Sequence, residues 1–150
     1  MVVELLRFKN PKFKTIFFKL VGNMLWKNED RRLTGATTLL IGALVCALFF
    51  SKQVAITSLF FLAIGDTLAY VIGYSIGKTN IMGKKTLEGG LAFFTSSVIV
   101  VLIMRSINPI VGIAGAFIGC LVELLPWEID DNLSIPIIAG VVMEALSKFV

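Results

Sequence analysis

Asp66 lies at the centre of an apolar run, Val54 to Gly77, that is long enough to cross a bilayer. A carboxylate at that depth costs about 2.5–3.5 kcal/mol on insertion scales unless it lines a polar cavity, meets a cation or holds a metal. Further chemistry-bearing groups follow it at intervals: Lys78, then Lys84-Lys85-Thr86-Leu87-Glu88, then Glu123, then Glu128-Ile129-Asp130-Asp131-Asn132. Lysines beside paired acids are what a metal–polyphosphate ligand needs. The cations neutralise phosphate oxygens, and the carboxylates supply the oxygen shell that Mg²⁺ demands. The competing reading is that the lysines only orient the chain in a membrane and that Asp130 and Asp131 only cap a helix.

Other chemistries fit poorly. Gly83-Lys84-Lys85-Thr86 has the ending of a Walker A loop, but that motif requires glycine where Lys78 stands, and no strand is predicted before it. The chain has no histidine and two cysteines, Cys46 and Cys120, each alone inside an apolar run. They read as small buried hydrophobes, not as a zinc site or a disulfide.

The elements that must position these groups are membrane helices. Hydrophobic residues make up 57% of the chain and charged residues 16%, against roughly 45–50% and 25% in soluble domains. Five candidate spans stand out at 33–50, 54–77, 87–104, 110–126 and 133–150. Each must be helical, because open sheet edges and loops leave backbone groups unsatisfied in hydrocarbon. Short connections make neighbouring spans antiparallel. The expected fold is an all-α membrane protein: one domain over 1–150, with a bundle over 33–150 and a cytosolic or interfacial segment over 1–32. In that segment Asn10-Pro11 reads as a helix start. Phe13, Ile16, Phe17, Leu20, Val21, Met24 and Leu25 then share one face, as in an amphipathic helix lying in the membrane interface. No signal peptide is expected from the first fifteen residues, which carry charges throughout.

Small residues should let the helices approach closely. Gly65, Ala69, Gly73 and Gly77 recur every fourth position, with Asp66 and Tyr70 beside them, so Asp66 should face protein. Gly112, Ala116 and Gly119 form a similar stripe. Eight of the fourteen lysines and arginines precede the first span, and Lys78, Lys84 and Lys85 follow the second; only Lys52, Arg105 and Lys148 fall on the other side. The positive-inside rule places the N-terminus, the lysine loop and the Asp130-Asp131 loop in the cytosol. Asp66 then points into the middle, and Glu123 sits one turn above the cytosolic end of its span.

Gly65-Asp66-Thr67-Leu68-Ala69, Gly73, Gly77-Lys78, Lys85-Thr86-Leu87-Glu88-Gly89 and Asp130-Asp131-Asn132-Leu133-Ser134-Ile135-Pro136 occur in an order that resembles the CTP-dependent lipid kinases. That family includes dolichol kinase, phytol kinase and the CTP-using diacylglycerol kinase, and is related to phosphatidate cytidylyltransferases. The stretch from Glu29 to Thr37 is similar to the bacterial and archaeal branch, and the likeness runs from about residue 4 to 140. It implies γ-phosphoryl transfer from CTP to a lipid alcohol of the membrane, with Mg²⁺, in a multi-pass protein of a prokaryotic plasma membrane. Nucleic acid is not an expected partner.

On this chain the resemblance implies catalytic roles for Asp66 and Asp131. It implies metal ligation by Asp66, Asp130 and Asp131, and nucleotide or phosphate contacts by Lys78, Lys85, Thr86, Glu88, Thr67 and Asn132. Two departures stand out. Relatives usually begin with further membrane helices bearing an Arg-[Arg/Lys]-x-x-His motif, whereas this chain has no histidine, and Gly90 stands where Ser or Thr often follows Glu-Gly. A fragment, a partner or homo-oligomer, or lost activity would each account for them. Two rival functions share the same residues: a cytidylyltransferase attacking the α-phosphorus of CTP, and a small transporter subunit binding a cation or proton at Asp66 and Glu123.

Overall fold

The computed structural model describes residues 34–126 and 129–150. The expected amphipathic helix and the Glu29–Arg32 motif lie outside these residues, as do Trp127 and Glu128. The chain divides into two compact units after Thr38. The first contributes only Thr34–Thr38 to the described residues. There the Thr37 N–H donates to the Thr34 carbonyl at 2.8 Å, and the Thr38 hydroxyl to the Gly35 carbonyl at 2.9 Å.

The described residues are mostly helical. Helix α1 covers Gly35–Phe49. Helix α2 runs from Lys52 to Ile76 through a π-helical turn at Phe61–Asp66. After α2 come two short antiparallel strands, β1 (Asn80–Met82) and β2 (Lys85–Thr86). Gly83 takes the turn between them with φ +60°, a left-handed conformation that glycine adopts without penalty. Helices α3 (Leu87–Met104), α4 (Pro109–Leu124) and α5 (Asp131–Leu146) complete the chain. All five predicted apolar segments are thus helices. Two of them, α2 and α3, are long and apolar enough to cross a membrane. Leu40, Leu44, Leu48, Phe49, Ile103 and Ile110 are exposed, as they would be against lipid.

Sequence periodicity gave no sign of the hairpin or of the π turn. The hairpin is too short to alternate. The π turn inserts one residue and rotates everything beyond it by about 100° relative to a continuous α-helix.

Close packing follows the small residues. Helix α4 lies between α3 and α5, and α2 packs along α3. Phe93 on α3 is fully buried, with Gly65 of α2 on one side and Gly119 of α4 on the other. A Cβ added at Gly65 would lie 2.9 Å from the Phe93 ring and from Ser97 Oγ. Gly65→Val should therefore destabilise the fold by about 1–3 kcal/mol through overpacking. A clear drop in the thermal unfolding midpoint in detergent is expected; an unchanged midpoint would mean that α2 and α3 do not meet there.

The opposite end of the bundle is tied by one acid. Glu144 on α5 accepts both the Ser51 N–H and the Ser51 hydroxyl on Oε2, each at 2.9 Å. Ser51 is the N-cap of α2, and its hydroxyl serves this contact instead of capping its own helix. Because the contact is exposed, Glu144→Ala should cost only about 1 kcal/mol. The corresponding observable is faster amide exchange at the start of α2, with the unfolding midpoint lowered by a few degrees.

Candidate functional site

Helix lengths decide what Asp66 meets. At about 1.5 Å per residue, the 25 residues of α2 span about 37 Å, whereas the 16 residues of α4 and of α5 span about 24 Å each. Those two helices are shorter than a hydrocarbon core of about 30 Å. The last turn of α4 and the first turn of α5 therefore reach the level of Asp66, about ten residues short of the end of α2. Carboxylate oxygens of Asp66, Glu123 and Asp131, one from each helix, all lie within 4.8 Å of one another.

Lys85 completes the group. It occupies β2, immediately before α3, and its Nζ donates to Glu123 Oε1 at 2.7 Å and to Asp131 Oδ2 at 2.9 Å. Glu123 is deeply buried, its side chain only 6% exposed, while Lys85 and Asp131 keep 28% and 33%. Burial acts against the lysine's charge, but its bonds to Glu123 and Asp131 outweigh it and hold the ammonium above its ordinary value. Lys85 thus remains a cation throughout the physiological range.

The remaining predicted site residues are placed around this centre. Asp130 is the N-cap of α5, its Oδ1 accepting the Asn132 N–H at 2.9 Å. Thr86 is the N-cap of α3, its hydroxyl accepting the Gly89 N–H at 3.2 Å. Thr86 is buried against Gly73 of α2 and against Gly77, the residue that ends it, where neither glycine could carry a Cβ without a collision. Glu88 accepts the Thr79 N–H on both oxygens at 3.2 Å and so fixes the loop that leads into the hairpin. The Thr67 hydroxyl donates to the Ala63 carbonyl at 2.7 Å within α2. Lys78 is exposed. The structure therefore brings Asp66, Lys85 and Asp131 into one cluster, with Lys85 bonded to Asp131, and gives Thr86, Glu88 and Asp130 contacts that shape the segments carrying them.

Glu123 was missing from the predicted catalytic, phosphate and metal residues, although its place near the end of a span was legible. The signal that could have raised its standing is its burial cost: an acid one turn inside an apolar helix needs a cation as much as Asp66 does.

The donor set suits a hard divalent ion. It is all oxygen, it comes from three helices, and it includes one atom with no partner among the described residues. Glu123 Oε2 is buried and makes no hydrogen bond among the described residues. A buried carboxylate oxygen facing other carboxylates with no donor between them calls for a cation or a proton.

Comparison with known proteins bears on what such a site does. The chain is 27% identical to the CTP-dependent diacylglycerol kinase 1 of Eremothecium gossypii, over 99% of its own length and 56% of the relative's. It is also 27% identical to the protein of the same name from Saccharomyces cerevisiae, over 98% and 60%. An uncharacterized protein of Methanocaldococcus jannaschii is 30% identical over 87% of this chain and 69% of its own. The chain belongs to the CTP-dependent lipid kinase family. It spans a little over half the length of the two yeast kinases. No family model matches the chain, and no solved structure matches it. As a member of this lipid kinase family, it carries the Asp66, Lys85 and Asp131 motifs on three separate segments that the fold brings to one point.

Proposed function

We propose that the chain is the membrane-embedded catalytic part of a CTP-dependent kinase that phosphorylates a lipid alcohol of the diacylglycerol or polyprenol type. The observation that carries this reading is the convergence of Asp66, Asp131 and Lys85 with Glu123. Three of the four belong to the motifs expected from the resemblance, and Glu123 and Asp131 lie at the ends of the short helices α4 and α5. The five helices span the bilayer, with the N-terminus and the site on the cytosolic side, where CTP is available. The lysine distribution supports that orientation. The similarity of residues 29–37 to the bacterial and archaeal branch supports a prokaryotic plasma membrane.

In the reaction, the lipid hydroxyl oxygen forms a bond to the γ-phosphorus of CTP while the bond from that phosphorus to the β–γ bridging oxygen breaks. CDP leaves, and the hydroxyl proton passes to a carboxylate, Asp66 or Asp131; with no histidine in the chain, these acids are the available bases. Lys85 and the exposed Lys78 bind and orient the phosphates. Glu88 holds the Lys78–Thr79 loop in position through the Thr79 N–H. Asp66, Asp130 and Asp131 would hold Mg²⁺, with Thr67 and Asn132 next to them along the chain and Thr86 next to Lys85. When bound, the ion neutralises charge on the phosphoryl oxygens, the main requirement of a transfer that proceeds by positioning and electrostatics.

Labelled CTP tests the proposal with the purified full chain in vesicles containing diacylglycerol or a polyprenol. Label from the γ position should appear in the lipid. Label from the α position would instead identify cytidylyl transfer, and cation-dependent flux without either label would favour a transporter.

A further inference from the structure

Lys85 and a divalent cation have claims on the same oxygens. The ammonium already occupies one oxygen of Glu123 and one of Asp131, two of the three carboxylates that converge within 4.8 Å. The third, Asp66, receives no bond from Lys85. The other oxygen of Glu123, Oε2, is buried beside them without a donor among the described residues. Among the described residues one ammonium therefore serves three acids, and the deepest of them is only half satisfied. A dication among the three would bring a second positive charge to within a few ångströms of Nζ, and like charges that close repel strongly in a partly buried setting.

We propose that Glu123 is the deep ligand of a divalent-cation site shared with Asp66 and Asp131, and that Lys85 is the internal cation this ion displaces. With no ion bound, Lys85 holds Glu123 and Asp131 in place. Binding of the ion frees the ammonium to swing on its four-carbon stem toward the hairpin mouth, where it can meet an anionic ligand. β2 suits the role, because it anchors the Lys85 backbone by pairing with β1 while leaving the side chain long enough to move. Exchange of this kind makes ion binding and lysine release two sides of one equilibrium, so ion binding and the Lys85 ion pairs weaken each other by the same factor. The inference deepens the kinase reading, since a released Lys85 is the phosphate contact which that reading requires, but its test uses neither CTP nor lipid.

The test is a Mn²⁺ titration of the full chain in detergent, followed by electron paramagnetic resonance of the free ion. Lys85→Met should bind Mn²⁺ at least about tenfold more tightly than the parent, within the range usual for coupled sites. Glu123→Gln should bind at least about tenfold more weakly, as expected for loss of a charged ligand. Lys84→Met removes the same charge one residue away, from an exposed side chain, and should stay within about twofold. In parallel, saturating Mn²⁺ should raise acylation of Lys85 by a brief pulse of acetic anhydride, read by mass spectrometry, without altering Lys84. Affinity unchanged or weakened in Lys85→Met, equal gains in Lys84→Met and Lys85→Met, or unaltered Lys85 acylation would each overturn the exchange. Retained affinity in Glu123→Gln would remove Glu123 as a ligand. A chain that passes these tests yet transfers no label from CTP would refute the kinase reading alone.

Discussion

Asp66→Asn should abolish phosphoryl transfer while leaving the fold intact. Loss of a positioned acid or base typically lowers rates by about 10²–10⁴-fold, and a residue that also helps to hold a cation belongs at the upper end of that range. Stability should move the other way. Lys85 bonds Glu123 and Asp131 but not Asp66, so Asp66 adds a third carboxylate to a cluster that has one ammonium among the described residues. Asparagine keeps the shape, removes the charge and supplies an amide donor beside Glu123, whose Oε2 has no partner among the described residues. In chelator, the thermal midpoint of the variant should equal or exceed that of the parent. Transfer of γ-label from CTP and thermal unfolding in the same detergent settle the matter together: an active Asp66→Asn removes the central assignment, and an unfolded one makes Asp66 structural. This opposition between activity and stability separates a functional charge from a packing residue such as Gly65, whose replacement should lower both.

Much of this site was legible in the sequence, because each of its residues violates a local rule. An acid in the middle of an apolar run, and lysines beside acids in a short connection, are expensive or conspicuous wherever they occur. The family motifs gave Lys85 and Asp131 for the same reason. What could not be read was depth. From the sequence, Asp66 is at mid-span and Glu123 one turn from a helix end, two levels that need not meet. They meet because α4 and α5 are only 16 residues long and because the π turn at Phe61–Asp66 re-aims the carboxylate. Neither feature has a periodicity signature: a single inserted residue is invisible in an apolar run, and helix ends in such runs are set by tertiary contacts. Lys85 illustrates the same limit. Its charge was plain and its partners were not, since its hydrogen bonds to Glu123 and Asp131 close loops of 38 and 46 residues.

Those long-range bonds also make Lys85 a structural residue, and a pair of substitutions shows how much of its contribution is charge compensation. Lys85→Met leaves Glu123 buried with no donor on either oxygen among the described residues. Breaking a buried pair from one side usually costs about 3–5 kcal/mol. Here Lys85 and Asp131 keep 28% and 33% of their side-chain exposure, so water screens part of the loss and about 2 kcal/mol is expected. Adding Glu123→Leu removes the stranded carboxylate and fills its space with hydrocarbon, which should bring stability back to within about 1 kcal/mol of the parent. Unfolding in chelator is the measurement, and the double variant must be more stable than Lys85→Met alone. If it is no better, the lysine contributes by packing its stem and not by neutralising Glu123. Mn²⁺ adds a further discrimination. It should restore the single variant, whose three carboxylates are intact, and leave the double variant unmoved, because the oxygen that most needs a cation is gone.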